Sequence, residues 1–464
     1  MQEKVVSLYQ SEKKIYPREI LGFYAKWRWF FVWITQIIFY FTPWIEWGGR
    51  QAVLFEITSR KFYIFKYVFY PQDLIYLSGI LIISALGLFL FTTLAGRIWC
   101  GLSCPQTVYT EIFLWIEAKI EGNFIKRERR DKSNWNINKI FIKLQKHIVW
   151  IIFSIWTGFT FVGFFTPIKP LLNESIEFSV TGWSLFWIIF YGFLTYFNAG
   201  FMREQVCKYM CPYARFQSSM FDQNTLTMIY DKDRGEPRKG KSDGKQGDCI
   251  DCNICVQVCP NGIDIRNGLQ YECIFCGLCA DACDSVMKKV NKPGNLISYT
   301  TPIILKNNLS FSKKMKIFLR PRITIYSLIL ISIIGLFFYK LENRYDFKFN
   351  VIRDRGILSR VDKNDMLQNV YRLKIMNVGL SNDRYNLAVD GLPRIRIDKK
   401  TIKNLRIELD PVESDTYVVT VEIPNKSKQP GNYPINFLLR KLGSDNVLFE
   451  KSIFVVPKDE DKKK

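Results

Sequence analysis

Residues 249–260 read "CIDCNICVQVCP", and residues 273–284 read "CIFCGLCADACD". Each stretch spaces its cysteines C-x2-C-x2-C-x3-C. Proline follows only the first, and Asp284 stands where the second proline would be. Three thiolates at this spacing wrap one face of a cubane, while the fourth is carried by the turn towards a neighbouring cluster. Zinc also accepts four thiolates, but its motifs usually separate two C-x2-C pairs by a longer loop, so duplicated triplets point to iron. The crossed pattern assigns Cys249, Cys252, Cys255 and Cys283 to one [4Fe–4S] cluster and Cys259, Cys273, Cys276 and Cys279 to a second. A proline after the last ligand fixes the chain without bonding iron, so Asp284 bears on the local turn, and its negative charge disfavours an added electron.

That spacing is the bacterial two-cluster ferredoxin pattern, and it predicts an α+β ferredoxin-like insert over residues 249–290. Around it the chain is greasy: 48% hydrophobic and 16% aromatic over 464 residues. Five uncharged apolar runs are long enough to cross a bilayer as helices: Trp29 to Ile45, Leu74 to Ala95, Ile148 to Ile168, Phe178 to Met202 and Ile323 to Tyr339. The first begins well inside the chain without a small-residue cleavage site after it, as expected of a retained anchor. The loop from Glu117 to Lys146 carries nine basic residues, and Lys313, Lys314, Lys316, Arg320 and Arg322 crowd the entry to the last run. By the positive-inside rule both are cytoplasmic.

The expected order is a cytoplasmic segment (1–28), four helices (29–202) with a cytoplasmic loop (96–147), a C-x3-C-P helix and linker (203–248), the insert, a basic linker (291–322), a fifth helix (323–339) and an extracytoplasmic domain (345–458). All cysteines then lie on or near the cytoplasmic side, where thiols stay reduced, which favours metal or redox chemistry over disulfides. The net charge of +22 sits largely on inner loops, where it fixes topology and meets anionic lipid, and no nucleic-acid partner is expected.

Two further cysteine pairs end apolar runs. Residues 97–106 read "RIWCGLSCPQ" and residues 207–213 read "CKYMCPY". Cys100 and Cys104 are one helical turn apart and would share a face on a helix, as would Cys207 and Cys211. Pro105 and Pro212 suit the first position of a following helix, where the missing N–H costs nothing. Ala-Gly precedes each pair, at Ala95 and Ala199, which suggests two related units whose four thiolates converge. Copper(I), zinc or a third iron–sulfur cluster would each suit four thiolates, and spacing does not choose. The bland reading is buried cysteine at helix ends, with Met202 and Met210 as packing residues. His147, the single histidine, reads as an interfacial residue, and a bis-histidine haem within one chain is ruled out. No G-x-G-x-x-G segment follows a strand and no P-loop is present, so nucleotide reduction is not expected.

From about Tyr345 the pattern changes to short alternating runs: "YRLKIMN" at Tyr371, "TYVVTVEI" at Thr416, "YPINFLLR" at Tyr433 and "VLFEKSIFVV" at Val447. They predict a small immunoglobulin-like β-sandwich that serves interaction or stability.

The order of these parts resembles the CcoG/FixG/RdxA family of cytochrome c oxidase accessory proteins, with a more distant likeness to the quinol-side membrane ferredoxins of periplasmic nitrate reduction. The resemblance implies a bacterial inner-membrane electron-transfer protein acting in assembly of a cbb(3)-type oxidase, reducing copper(II) to copper(I). It implies cluster ligation by the eight insert cysteines, and makes Cys100, Cys104, Cys207 and Cys211 the candidate copper or redox site. Oxidase subunits or a copper transporter or chaperone, and a cytoplasmic electron donor, would be its partners. The alternatives are a quinol-linked ferredoxin subunit with another acceptor, and a non-catalytic assembly scaffold.

Overall fold

A computed structural model describes residues 14–457 apart from 181, 239–246, 308–319, 355–358, 363–364, 380, 399–405, 426–428 and 445. Part of the expected N-terminal segment, the middle of the 203–248 linker, and Lys313, Lys314 and Lys316 therefore fall outside the described residues. The chain divides into two compact units: the first runs to Lys66 and from Asp73 to Leu336, and the second holds Tyr67–Gln72 and everything from Phe337 onward.

Nine helices of the first unit position the cysteines: α1 (Phe23–Phe41), α2 (Leu74–Ala95), α3 (Ile98–Leu102), α4 (Pro105–Glu121), α5 (Phe124–Lys132), α6 (Ile137–Val162), α7 (Ile168–Ile176), α8 (Gly182–Phe197) and α9 (Pro212–Met220). Among the described residues four helices are long and apolar enough to cross a membrane: Pro71–Ala95, Ile137–Val162, Gly182–Met202 and Pro321–Glu342. The first has a mean hydropathy of 2.5 with none of its apolar window buried, so its side chains are left for lipid. Five were expected. The run from Trp29 to Ile45 instead belongs to α1, which starts at Phe23, carries Lys26 and Arg28, and gives way at Phe41 to a 3-10 turn, Thr42–Trp44, holding Pro43.

Other boundaries moved for readable reasons. α6 starts eleven residues before the apolar run at Ile148 because Asn136 caps it, its side chain accepting from the Lys139 N–H at 2.7 Å. It stops at Val162, and Pro167 then precedes α7, so the rest of the run to Ile168 is turn. α8 begins at Gly182, four residues after the expected Phe178, whose φ of 53° lies in the left-handed region. Its end widens into a π turn, Asn198–Met202. α6 and α8 pack backbone to backbone, since a Cβ on Gly158 would collide with the Ile188 carbonyl and stand 3.0 Å from the Gly192 nitrogen. Small residues serve this purpose where lipid supplies no hydrophobic drive between helices.

The insert is bracketed by two antiparallel strands, Thr227–Tyr230 and Ile297–Thr300, with Tyr230 opposite Ile297. Between them lie the short helix Ile254–Gln257 and the longer Leu278–Lys289. Met228, Phe275, Met287 and Leu296 form its core with the buried cysteines.

In the second unit two antiparallel sheets face each other. One orders Arg396–Ile397, Ser414–Pro424, Met366–Asn377 and Phe347–Arg353, with Arg360–Val361 at the side, and the other orders Arg406–Leu409, Asp383–Asp390, Gly431–Lys441 and Val447–Val456. All four alternating runs seen in the sequence are strands. Their inward residues, including Leu373, Ile375, Val419, Val421, Ile435, Phe437 and Leu439, make one core.

Replacing Gly158 by Leu should force α6 and α8 apart and lower stability by at least ~1–3 kcal/mol. Thermal unfolding of the detergent-solubilised protein, compared with a lipid-facing control such as Ile152→Leu, measures it.

Candidate functional site

The two cysteine loops share one backbone plan. Asp251 and Asn253 in the first copy have φ of 56° and 58°, and Phe275 and Gly277 at the matching positions have 56° and 79°. Such left-handed residues within a turn gather N–H groups into concavities that favour anions, as many iron–sulfur sites do. A cavity is lined by Cys259, Cys273, Cys276 and Cys279, with Cys255 of the other set at its edge. Burial pushes the Cys259 thiol up to about 11, with Cys276 adding to the effect. It pushes Cys279 well above its usual value, and Cys276, Cys273, Cys259 and, least, Cys255 push the same way.

The other four form a second neighbourhood. Burial raises Cys283 to about 12, with Cys255, Asp284, Cys249 and Cys252 reinforcing it. Cys255 rises to about 11 by burial, opposed by Arg266. These two groupings follow the crossed pattern, each drawing one cysteine from the other's stretch. Thiols this far raised are protonated at neutral pH, so loading a metal centre must displace protons.

Asp284 has a structural account. Cys283 lies inside the twelve-residue helix Leu278–Lys289, where a proline one residue later would remove a hydrogen bond and clash with the preceding turn. Aspartate lets the helix continue, and its carboxylate accepts from the Asn295 N–H at 2.6 Å. After Cys259 the helix Ile254–Gln257 has already ended, so Pro260 costs nothing.

The second pair of motifs also converges. Cys100 sits on α3, and Cys104 is the residue just before α4, which Pro105 opens. The expectation that both lie on one helix is therefore corrected: a break between α3 and α4 separates them. Cys207 lies in a π turn, Val206–Met210, and Cys211 precedes α9, which Pro212 opens. Burial pushes Cys207 up to about 12, and Cys104, Cys100 and Cys211 add to it. Cys100 is raised by burial to about 11 against the pull of Arg97. Met210 is exposed, and His147 hydrogen-bonds Tyr196 at 2.9 Å.

This quartet is pressed against the insert. A Cβ at Gly101 would stand 2.6 Å from the Ile274 carbonyl oxygen and 2.9 Å from the Cys276 Cα. Cys100, Ile274 and Cys276 form one buried cluster. Arg97, 2% exposed, donates through Nε to Gln217 on α9 at 2.8 Å and through Nη1 to the Tyr271 carbonyl. Gln217 Oε1 lies 3.6 Å from the Cys100 sulfur. Asp281 accepts from the Tyr24 and Ala25 N–H groups at 3.2 and 2.8 Å, satisfying the start of α1 from another element. Sequence reasoning missed Arg97, Gln217, Gly101 and Asp281; only Arg97, two residues from Cys100's helix partner Trp99, carried a visible signal as a charge where an apolar run ends.

Among the described residues no three Cys, His, Asp or Glu side chains gather tightly enough for a single metal ion.

Family models match in three places: a 4Fe-4S dicluster domain over residues 202–302, a 4Fe-4S binding domain over 77–123, and an IG-like fold at the C-terminal of FixG, putative oxidoreductase, over 337–457. With apolar spans and these domains in one chain, the molecule is a membrane iron–sulfur electron-transfer protein. Nitrogen fixation protein FixG of Rhizobium meliloti is 36% identical over 424 residues, 83% of this chain and 81% of that one. Protein RdxA of Cereibacter sphaeroides is 36% identical over 84% of this chain and 85% of its own. The chain belongs to the FixG/RdxA family. A crystal structure of a FixG-related protein from Vibrio parahaemolyticus aligns with 25% of this chain and 99% of its own, at 23% identity and a TM-score of 0.22.

A buried charge network holds α4 beside the quartet. Glu117 meets Arg203 at 2.8 Å, Lys146 at 3.5 Å and Arg127 at 3.6 Å. Burial alone would raise its carboxyl, but Arg203, Lys146, Lys14 and Arg127 overcome this and hold it at about 2, below the ordinary 4.5. A folded value below the unfolded one gives stability that is complete above about 4.5 and lost as pH falls towards 2. Protection factors over Pro105–Lys146, which take out the intrinsic pH dependence of amide exchange, should therefore fall on acidification from about pH 5 to pH 3. Glu117→Gln should exchange faster at neutral pH and respond less to acid in that window.

Proposed function

We propose that the chain lies in the bacterial inner membrane and carries single electrons from a cytoplasmic donor to the cysteine quartet at the membrane face, where copper(II) is reduced to copper(I) for a cbb(3)-type oxidase. The observation that carries this reading is the contact of Gly101 and Cys100 with the Ile274–Cys276 loop. It brings Cys100 of the quartet beside Cys276 of the insert, which supports a short path between the two. The ligand sets are Cys249, Cys252, Cys255 and Cys283, and Cys259, Cys273, Cys276 and Cys279, each for a [4Fe–4S] cluster. Such clusters supply one-electron storage and relay when bound. The chain's own contribution is to bury the thiols, to order their loops, and to hold the groups in line through Arg97, Gln217 and Gly101.

The expected topology is a fifth span at α1, the N-terminus and insert inside, and the sandwich outside. The nine basic residues between Glu117 and Lys146 and family membership support it. The name of the relative FixG concerns nitrogen fixation, and the oxidase and copper step rest on the family resemblance alone. One electron reduces one copper(II) to copper(I), and thiolates favour the product ion.

A second reading has its own support. The 4Fe-4S binding domain matched over 77–123 contains Cys100 and Cys104, which suits a third cubane at the quartet.

Iron quantitation on anaerobically purified protein separates the readings: about eight irons per chain for two cubanes and about twelve for three. With Cys100→Ser and Cys104→Ser together, the first reading predicts about eight irons retained and copper(II) reduction lost; the second predicts a fall from about twelve to about eight. Reduced wild-type protein that leaves copper(II) unreduced would sink the copper step. Gly101→Ala should push the Ile274–Cys276 backbone away from the quartet and slow electron delivery to any acceptor there, measured by stopped-flow reoxidation per iron retained.

A further inference from the structure

A cavity of about 450 Å³ opens between α1, α4 and the insert. Arg28 lines it and is 1% exposed. Its Nη2 donates to Glu111 at 2.7 Å, while Nε and Nη1 have no hydrogen-bond partner among the described residues. Arg127 lines it too, 2% exposed; Nη2 donates to the Pro17 carbonyl at 3.0 Å, Nη1 stands 3.6 Å from Glu117, and Nε is without a hydrogen-bond partner among the described residues. Buried guanidinium donors are costly to leave unmade, and two on one cavity define a place for an anion.

The charge balance agrees. Arg18 and Lys119 join the two buried arginines, against the carboxylates of Glu19 and Glu111, leaving an excess of two positive charges. Trp29 and Trp115 meet edge to face at 6.3 Å on the same wall, the pairing of aromatic and cation that marks a membrane–water boundary. Beside them Leu21 is 91% exposed, so apolar surface continues from the mouth. Val258, Pro260 and Leu278 of the insert close the opposite side.

We infer that this cavity is a phosphate site, filled by the phosphodiester headgroup of an anionic phospholipid whose chains lie along the exposed apolar residues of α1. Arginine forks match phosphate oxygens two at a time, and basic pockets on the cytoplasmic side of membrane helices take such headgroups. The bound lipid would join α1, α4 and the Val258–Pro260 turn, fixing the insert against the membrane independently of which acceptor the quartet serves.

The test uses the full chain, purified in detergent from phosphate-free buffer, with native mass spectrometry and phosphorus analysis. Wild type should keep about one anionic phospholipid per chain after exchange into phosphatidylcholine-containing nanodiscs, and take up phosphatidylglycerol in preference to phosphatidylcholine. Arg127→Gln should lower that retention roughly tenfold with iron content and visible absorbance unchanged; Arg28→Gln, whose guanidinium also acts on Cys276, should lower it by a similar factor, and Arg28→Lys should restore part of it. Wild type that holds inorganic phosphate but no lipid overturns the lipid and assigns the cavity to a soluble phosphate. Wild type that holds neither, or that takes both lipids equally, overturns the site, as does undiminished retention in both glutamine variants. Should Arg28→Gln fail to assemble its iron, Arg127→Gln and the wild-type lipid preference still decide.

Discussion

The constraint on which the first unit depends is the burial of Arg97. A guanidinium out of water is tolerated only when its donors are taken up, and Arg97 reaches Gln217 on α9 and the Tyr271 carbonyl in the insert. Those partners lie 120 and 174 residues away in sequence. Satisfying one side chain therefore fixes the end of α2, the second Cys-Pro helix and the cysteine loop of the insert in a single arrangement. Gly101 permits the approach, since any side chain there would strike backbone rather than a movable group.

A second set of charges holds the other end of α4. Glu121 meets Lys146 at 2.8 Å and Lys143 at 3.0 Å, and Asp131 meets Lys143 at 2.5 Å and Lys14 at 2.8 Å. The basic loop that reads in sequence as a topology signal is thus also a structural joint between α4, α5 and α6. Much of its positive charge is met by internal carboxylates, while Arg28 and Arg127 at the α1 cavity keep donors in hand.

Much of this was legible. Duplicated spacing grouped the insert cysteines, since ligand number and turn length leave few arrangements. Proline at the first helical position located the starts of α4 and α9, and period-two alternation located the strands. Boundaries read from hydropathy alone moved. The run at Ile148 hid the polar first turns of α6, whose lysines point into the charge network, and the run at Trp29 belongs to a helix that starts six residues earlier and carries two cations, one of them buried. Cys100 and Cys104 were placed on one helix because a four-residue spacing suggests a turn, but the proline after Cys104 starts a new helix and forces a break before it. The contacts of Arg97, Asp281 and Gly101 join distant segments, and no local pattern announces them.

The helix Leu278–Lys289 carries Cys279 and Cys283 one turn apart, and these two sulfurs share Cys255 as a neighbour but otherwise face different cysteines: Cys276, Cys273 and Cys259 for the first, Cys249 and Cys252 for the second. The same helix presents Asp281 to the start of α1 and Asp284 to the turn at Asn295. One twelve-residue helix is thus tied at both of its cysteines, at the start of α1 and at the turn that follows it, so a change in its pitch or register is felt at all of these places together.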